Sequence, residues 1–345
     1  MLVTRQPVLR RFWYALMPMH QLDDGPRPFR LLDEPLVIWK KSDGQPAALR
    51  DRCCHRTAQL SRGFVDGDHI VCGYHGWTYD CRGACVRVPQ NESGKPPAGA
   101  GVESFRCVQR YGYVWVALDD PLAPIPEFPE DAQPQFRRIF QFYEEWHTSP
   151  VRVMENSFDN SHFSFVHRAT FGLYDQPAPS RYELVESDSG FEAETIVPIA
   201  NPPVSHRITG TTEPVTTRHL FNRWYLPFAR RFGCYYPASR RWHVIYNCAT
   251  PIDDRRLMLV QWLYRNDTEA DCSTAELIHW DGVITAEDRA ILESTDPDAC
   301  IDVSRRTELS MPSDRPGLII RRQLLALLRA HGEEEVFGSA PVRPR

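Results

Sequence analysis

No stretch of this 345-residue chain is both long enough and apolar enough to span a bilayer as a helix. An apolar patch from Phe12 through Met17 follows Arg5, Arg10 and Arg11 in the manner of a signal peptide. The patch is too short for a signal core, and Pro18 and His20 follow it without a small-residue cleavage site. It is expected instead to open the first domain as a strand or turn, in a cytoplasmic protein. Positive charge is not in excess either: 40 Lys and Arg stand against 45 Asp and Glu, a net charge of −5. That balance argues against nucleic acid or an acidic membrane surface as a partner. Basic pairs such as Arg230-Arg231 and Arg240-Arg241 read as solvated loop residues or part of a docking face. There is no internal repeat, no low-complexity tract and no nucleotide-binding glycine fingerprint, so a nucleotide-dependent step would fall to a separate protein.

The length and a 42% hydrophobic content suffice for two domains, each with its own core. The first third has the texture of a small antiparallel β domain. Leu36, Val37, Ile38 and Trp39 form an apolar run closed by a turn at Asp43-Gly44, and residues 113–118 form another, ended by Asp119, Asp120 and Pro121. Prolines at 121, 124, 126, 129 and 134 mark an irregular linker. The expected domains are therefore residues 1–135 and 136–345. In the second, residues 151–168 read as helix, and residues 181–264 as several strands with candidates at 242–246 and 257–262. A helix is expected within 274–293 and another within 318–329. The fold class is α+β: an all-β domain, then an antiparallel sheet with covering helices.

Ten cysteines are present, and five of them (Cys53, Cys54, Cys72, Cys81 and Cys85) fall close together with histidines interleaved. In a cytosolic chain that clustering points to a metal site rather than to disulfides. Cys53 and His55 form a C-x-H pair, and Cys72 and His75 form a C-x2-H pair sixteen residues further on. Gly73 and Gly76 would let the second loop turn tightly. Two cysteines and two histidines could hold one tetrahedral zinc, but zinc modules of this type usually keep the cysteines in one pair and the histidines in the other. A Rieske [2Fe–2S] centre carries two cysteines on one iron and two histidines on the other, and mixed pairs supply one ligand to each iron from each loop. Cys54 is expected as a small buried filler, and Cys81 and Cys85 as core cysteines.

A second constellation lies at Asn156, Asp159, His162 and His167, written N-x-x-D-x-x-H-x4-H. The first three are spaced to share one helix face. A five-residue step between the histidines swings the second ring by about 140° in a continuous helix. The helix is therefore expected to end or bulge between them, near Ser164. A third ligand would come from a distant carboxylate: Asp288, Glu287, Glu293 or Asp314. Asp288 could equally sit in a Thr285-x-x-Asp288 capping arrangement, and Asp314 could cap the last helix.

Taken together, these motifs resemble those of the Rieske non-haem iron ring-hydroxylating oxygenases, terminal oxygenase (α) subunit. The likeness includes Arg56, Gly76-Trp77, Asp80-x-x-Gly83 and Pro89, and spans most of the chain. It departs at Cys54, where the family often has proline. The resemblance is to the shorter homotrimeric monooxygenases and demethylases, and the loop at Arg52–Arg56 with the segment at Glu155, Asn156 and Ser157 is also similar to Rieske hydroxylases of saxitoxin biosynthesis. It implies a helix-grip catalytic domain, a [2Fe–2S] cluster on Cys53, His55, Cys72 and His75, and mononuclear Fe(II) on His162, His167 and Asp288, the second acid of the pair at 287–288. It also implies that Asp159 bridges to His75 of a neighbouring subunit, the plainer alternative being that it only orients His162; Asn156 would stand behind the ligands. The implied activity is hydroxylation or oxidative demethylation of a cyclic or aromatic small molecule. It would use O2 and electrons from a separate NAD(P)H reductase or ferredoxin. Alternatives are a cis-dihydroxylating dioxygenase and a Rieske electron carrier, though a carrier has no use for the second motif.

Overall fold

A computed structural model describes residues 1–93 and 95–338 of the chain. β-branched and aromatic runs become strands where a pleated, half-buried surface suits them, and the turn residues between them fix the hairpins. Gly44, at φ +79°, closes the hairpin between β3 (Glu34–Lys40) and β4 (Pro46–Arg50). These strands belong to the first of two compact units, made of Pro7–Ile125 with Thr250–Asp253. The expected opening strand is β1 (Tyr14–Pro18), preceded by two short 3-10 turns. It pairs antiparallel with β10 (Tyr113–Ala117) in a six-stranded sheet of order β1-β10-β9-β4-β3-β2, where β2 is Arg27–Leu31 and β9 is Ser104–Arg110. A second, four-stranded sheet runs β5 (Phe64–Asp66), β6 (His69–Val71), β7 (Thr78–Tyr79) and β8 (Cys85–Arg87). Its core joins Val37, Trp39, Leu60, Ile70 and Tyr79 to Cys53 and Cys72. The two cysteine-histidine loops thus grow out of a rigid base, one after β4 and one between β6 and β7.

The second unit comprises Met1–Gln6, Pro126–Ala249 and the chain from Asp254 onward. The units part ten residues before position 135, and the reason is local. Phe128 packs against Tyr246 and Trp262, and the buried Glu130 accepts a hydrogen bond from Arg231 Nε at 3.1 Å, so this part of the proline-rich segment is anchored in the second unit. Seven antiparallel strands form one sheet of order β11-β17-β16-β15-β14-β13-β12. They are β11 (Arg137–Trp146), β12 (Glu183–Ser187), β13 (Gly190–Ala200), β14 (Val215–Tyr225), β15 (Ala229–Tyr236), β16 (Arg241–Pro251) and β17 (Leu257–Arg265).

The expected late helices are present. One starts at a capping box in which Ser273 and Glu276 bond each other's backbone, and runs Thr274–Leu292. Its Leu277 and Trp280 pack on Ile139 and Leu263 of the sheet, the helix-on-sheet arrangement of a helix grip. The other runs Arg315–Ala330. Among the described residues, no helix is long and apolar enough to cross a membrane.

The helix expected over residues 151–168 is broken earlier than the spacing implied. α1 (Pro150–Ser157) stops before Asp159, and α2 is one turn, Phe163–Val166. The carboxylate of Asp159 accepts the Ser161 backbone N–H at 2.6 Å, a local alternative to helical pairing that Asp readily takes. His162 and His167 flank the short α2, one before and one after it. With α3 (His206–Thr209), the long helices at 274–292 and 315–330 are α4 and α5. α1 is tied to α5 by Arg321, which holds both Glu155 and Glu308, while Glu308 also holds Arg152.

Candidate metal centres

In the first unit, both ligand loops are closed by backbone hydrogen bonds around their cysteines. Thr57 N donates to Cys53 O at 3.0 Å, and Gly76 N donates to Cys72 O at 2.9 Å. Gly76 has φ +70°, and a Cβ on Gly73 would come within 2.8 Å of Arg62 O, so neither loop glycine has room or conformation for a side chain. Cys53 and Cys72 are each 2% exposed. His55 and His75 lie on the outer side with ring centroids 4.6 Å apart, and His55 stacks on Trp77. Desolvation, then the nearby His75 ring and Arg56, hold His55 below its usual range, which favours the neutral imidazole that binds metal. Its buried Nδ1 has no protein partner.

One tetrahedral zinc would need four donor atoms roughly 3.5 Å apart. Among the described residues, three donors lie within 4.8 Å of one another only at the second centre. At the front, the Cys53 and Cys72 thiols lie within hydrogen-bond reach of each other and the His55 and His75 rings lie side by side, and a thiol pair beside an imidazole pair is the donor set of two metal atoms. Tyr79 Oη approaches Cys53 Sγ at 3.0 Å and Cys54 Sγ at 3.3 Å. Contrary to expectation, Cys54 and Cys81 are exposed, because each sits at the tip of a tight turn; Cys85 is buried as expected.

In the second unit, His162 Nε2 and His167 Nε2 stand 3.2 Å apart, and Asp288 Oδ1 lies 3.5 and 3.3 Å from them. An ion bound at about 2.1 Å by three donors on one face spaces them roughly 3.0 Å apart, so the set fits a metal. Each donor is braced from behind. His167 Nδ1 meets Glu287 Oε2 at 2.8 Å, His162 Nδ1 meets Asp159 Oδ2 at 3.3 Å, and Asn156 Nδ2 donates to Asp288 Oδ1 at 3.3 Å. Such partners fix ring orientation and raise ligand basicity. Burial opposes ionisation of Asp288, but the adjoining His167 and then His162 outweigh it and hold the carboxyl below its usual range. It is therefore anionic at neutral pH.

The four candidate carboxylates separate here. Asp288 joins the histidines; Glu287 takes the back of His167 and also accepts from Thr170 Oγ1 at 2.9 Å. Glu293 bonds Arg289 and the His147 backbone, and Asp314 accepts from Met311 N. Thr285 and Asp288 lie inside α4 and cap nothing, since the helix begins at Ser273.

A cavity of about 130 Å3 opens beside the three donors. α4 lends it Asp281, Ile284, Thr285 and Asp288, a stripe at helical spacing, and the sheet lends Arg218, Arg230, Phe232, Tyr236, His243, Asn247 and Gln261. Asp281 pairs with His243 at 3.0 Å. Arg230 and Arg231, read from sequence as solvated, are correspondingly taken up by the interior: Arg230 lines the cavity and Arg231 pairs with Glu130. Tyr236, on β15, also reaches the cavity wall.

Two centres of this composition, on an all-β unit and a helix-covered antiparallel sheet, define a two-centre iron oxygenase. Residues 12–111 match the Rieske [2Fe-2S] domain family, and residues 146–330 match the vanillate O-demethylase oxygenase C-terminal domain family. The chain belongs to the Rieske non-haem iron oxygenases, a monooxygenase with a [2Fe–2S] cluster and a mononuclear non-haem iron as its cofactors. It is 31% identical over 352 residues to methylxanthine N1-demethylase NdmA of Pseudomonas putida, across 97% of this chain and 94% of the relative. It is 32% identical over 214 residues to the oxygenase component of dicamba O-demethylase of Stenotrophomonas maltophilia, across 60% and 62%. The solved structure of Pseudomonas putida CBB5 NdmA with caffeine matches at a TM-score of 0.82 and 27% identity, covering 96% of this chain and 94% of that one.

Proposed function

We propose that Cys53 and Cys72 bind one iron of the cluster and His55 and His75 the other, and that His162, His167 and Asp288 hold the mononuclear iron. The observation that carries the reading is the set of three donor atoms 3.2 to 3.5 Å apart, each braced by a second polar group. A ferrous ion on these three residues would supply the redox chemistry of O2 activation. The protein's own contribution is to orient. Glu287 and Asp159 fix the imidazole rings, Asn156 steadies Asp288, and the aromatic cavity walls keep the reacting carbon close and bulk water out.

The reaction is insertion of one oxygen atom into a C–H bond of a cyclic or aromatic small molecule, with the other atom leaving as water at the expense of two electrons and two protons. On a methyl group bonded to nitrogen or oxygen, the same step ends in demethylation, as the names of the relatives say of them. The electrons come from a separate NAD(P)H reductase, directly or through a ferredoxin, in the cytoplasm.

The working assembly is a homotrimer in which Asp159 receives His75 of a neighbouring copy. Supporting this, Asp159 borders an open cleft of about 290 Å3 that includes Leu309, which is 89% exposed. Tyr74, beside His75, is 65% exposed. Solvent-facing apolar residues next to both groups suit an interface. Iron and acid-labile sulfide analysis of the purified protein tests the assignment, with substrate-dependent O2 uptake and labelled-oxygen product analysis. Three irons and two sulfides per chain, and one labelled atom in the product, are expected. A lone zinc would sink the reading, and two labelled atoms would make the enzyme a dihydroxylating dioxygenase.

A further inference from the structure

His167 follows α2, a single turn of four residues, and so short a helix does not hold its own shape. Its ring has to be oriented by contacts from elsewhere. Glu287 accepts at the Nδ1 edge, but one hydrogen bond leaves an imidazole free to turn about the N–H line. That turn would swing Nε2, the atom 3.2 Å from His162 Nε2 and 3.3 Å from Asp288 Oδ1. A single orientation therefore needs the face of the ring to be held as well.

Phe171 covers that face. Its ring is stacked on His167, with centroids 4.6 Å apart and planes 26° from parallel. Thr170 N and Gly172 N both donate to His167 O, at 2.9 and 2.8 Å, and a Cβ on Gly172 would come within 2.0 Å of Phe163 O. Glycine at 172 is what lets the chain turn sharply enough to lay residue 171 back on residue 167. Phe171 is 6% exposed and shares a core cluster with Val197 and Ile199 of β13, Leu220 of β14, and Cys234 and Tyr236 of β15. Its carbonyl accepts from Ala200 N at 2.9 Å. Arg218, on β14, lies over the Phe171 ring at 4.9 Å and over the Tyr236 ring at 5.2 Å. Its Nε and one terminal nitrogen are buried without a hydrogen-bond partner, so at those atoms the ring faces, not hydrogen bonds, set the plane of the guanidinium. A flat guanidinium stacks on aromatic rings in a way that an ammonium does not.

We infer that Phe171 and Arg218 are positioning residues for the mononuclear iron: Arg218 and Tyr236 hold Phe171 against the sheet, and Phe171 holds the plane of His167 so that Nε2 stays aimed at the ion. Glu287 fixes one axis of the imidazole, and Phe171 blocks rotation about that axis. The ligand on an isolated turn thereby takes its placement from the seven-stranded sheet. Aromatic pairing of this kind corresponds to roughly two- to tenfold in an equilibrium constant. The inference rests on the reading of His167 as an iron ligand.

The test is competition for ferrous ion against a chelator, on protein that keeps its cluster, with the visible bands of cobalt(II) in the mononuclear site as a report on ligand geometry. Phe171→Leu should weaken ferrous binding by about threefold or more and shift the cobalt bands. Phe171→Tyr, which keeps the ring, should do neither. Arg218→Met should weaken binding by about twofold or more, and Arg218→Lys, which keeps the charge but not the flat face, should recover none of the loss. Arg218→Met combined with Phe171→Leu should be no worse than Phe171→Leu alone, because the two act through one contact. The cluster spectrum shows in each variant that the fold is kept, and Phe171→Met takes the place of Phe171→Leu if the latter does not fold. Wild-type affinity and cobalt bands in the variant lacking the ring, additive losses in the double variant, or full recovery by Arg218→Lys overturns the inference. His167→Ala separates the inference from the reading beneath it. Wild-type iron affinity in His167→Ala removes His167 as a ligand and the inference with it. Lost affinity there, beside wild-type affinity in the Phe171 and Arg218 variants, overturns the inference alone.

Discussion

Glu287 offers the sharpest check on the mononuclear site, because it touches a proposed ligand without being one. It accepts from His167 Nδ1 at 2.8 Å and Thr170 Oγ1 at 2.9 Å, and His167 is only 1% exposed. In Glu287→Ala the imidazole N–H loses its charged partner. A hydrogen bond to a charged group is worth about 1.5–3 kcal/mol. At about 1.4 kcal/mol per decade, that is a loss of roughly 10- to 150-fold in iron affinity, in the range typical of removing such an outer partner. Glu287→Gln keeps an acceptor oxygen but no charge and should lose less, under about tenfold. Competition for ferrous ion against a chelator of known affinity measures both, with the visible spectrum of the Rieske cluster as the fold control. Wild-type iron affinity in Glu287→Ala would refute the claim that Glu287 sets the strength of His167.

His162→Ala and Asp288→Ala are expected to abolish turnover while the cluster spectrum survives; full activity in Asp288→Ala together with none in Asp314→Ala would move the third ligand to position 314. Asp159→Asn retains an oxygen for the Ser161 N–H and should keep iron at both centres yet slow electron delivery. Single-turnover reoxidation of the cluster at the wild-type rate in that variant would count against the bridge to a neighbouring His75. Glu308 predicts a pH effect. Burial raises its carboxyl, but Arg152 and then Arg321 outweigh it and bring it down to about 2 from the usual 4.5. A depressed carboxylate stabilises the fold above its unfolded value, and that stability is lost as pH falls from about 4.5 toward 2. Acid unfolding of Glu308→Gln should therefore be flatter than wild type across that window, and identical acid limbs would show that the clamp between α1 and α5 contributes nothing.

What the sequence determined by itself is what local spacing and chemistry decide. The mixed pairs at Cys53, His55, Cys72 and His75 read as a two-iron centre rather than a zinc site because each short loop offers one cysteine and one histidine. The strands at 36–39 and 113–118 and the helix within 274–293 were likewise readable, since turn residues and side-chain periodicity are properties of neighbours in the chain, though the capping box at Ser273 and Glu276 was not the cap the sequence suggested. The break in the helix at Asp159 was half legible. Two histidines five apart demanded an interruption, but its place depended on the aspartate carboxylate competing for the Ser161 N–H. Tertiary structure alone decided the rest. Glu287 and Asp288 are adjacent acids on one helix, and only the way α4 lies against α2 sends Asp288 to Nε2 of His167 and Glu287 to its Nδ1. Arg230 and Arg231 are an ordinary basic pair in sequence, and alternation along β15 turns one toward the cavity and leaves the other with Glu130. A buried charge is defined by what surrounds it, and for these residues those surroundings come from strands and helices far away along the chain.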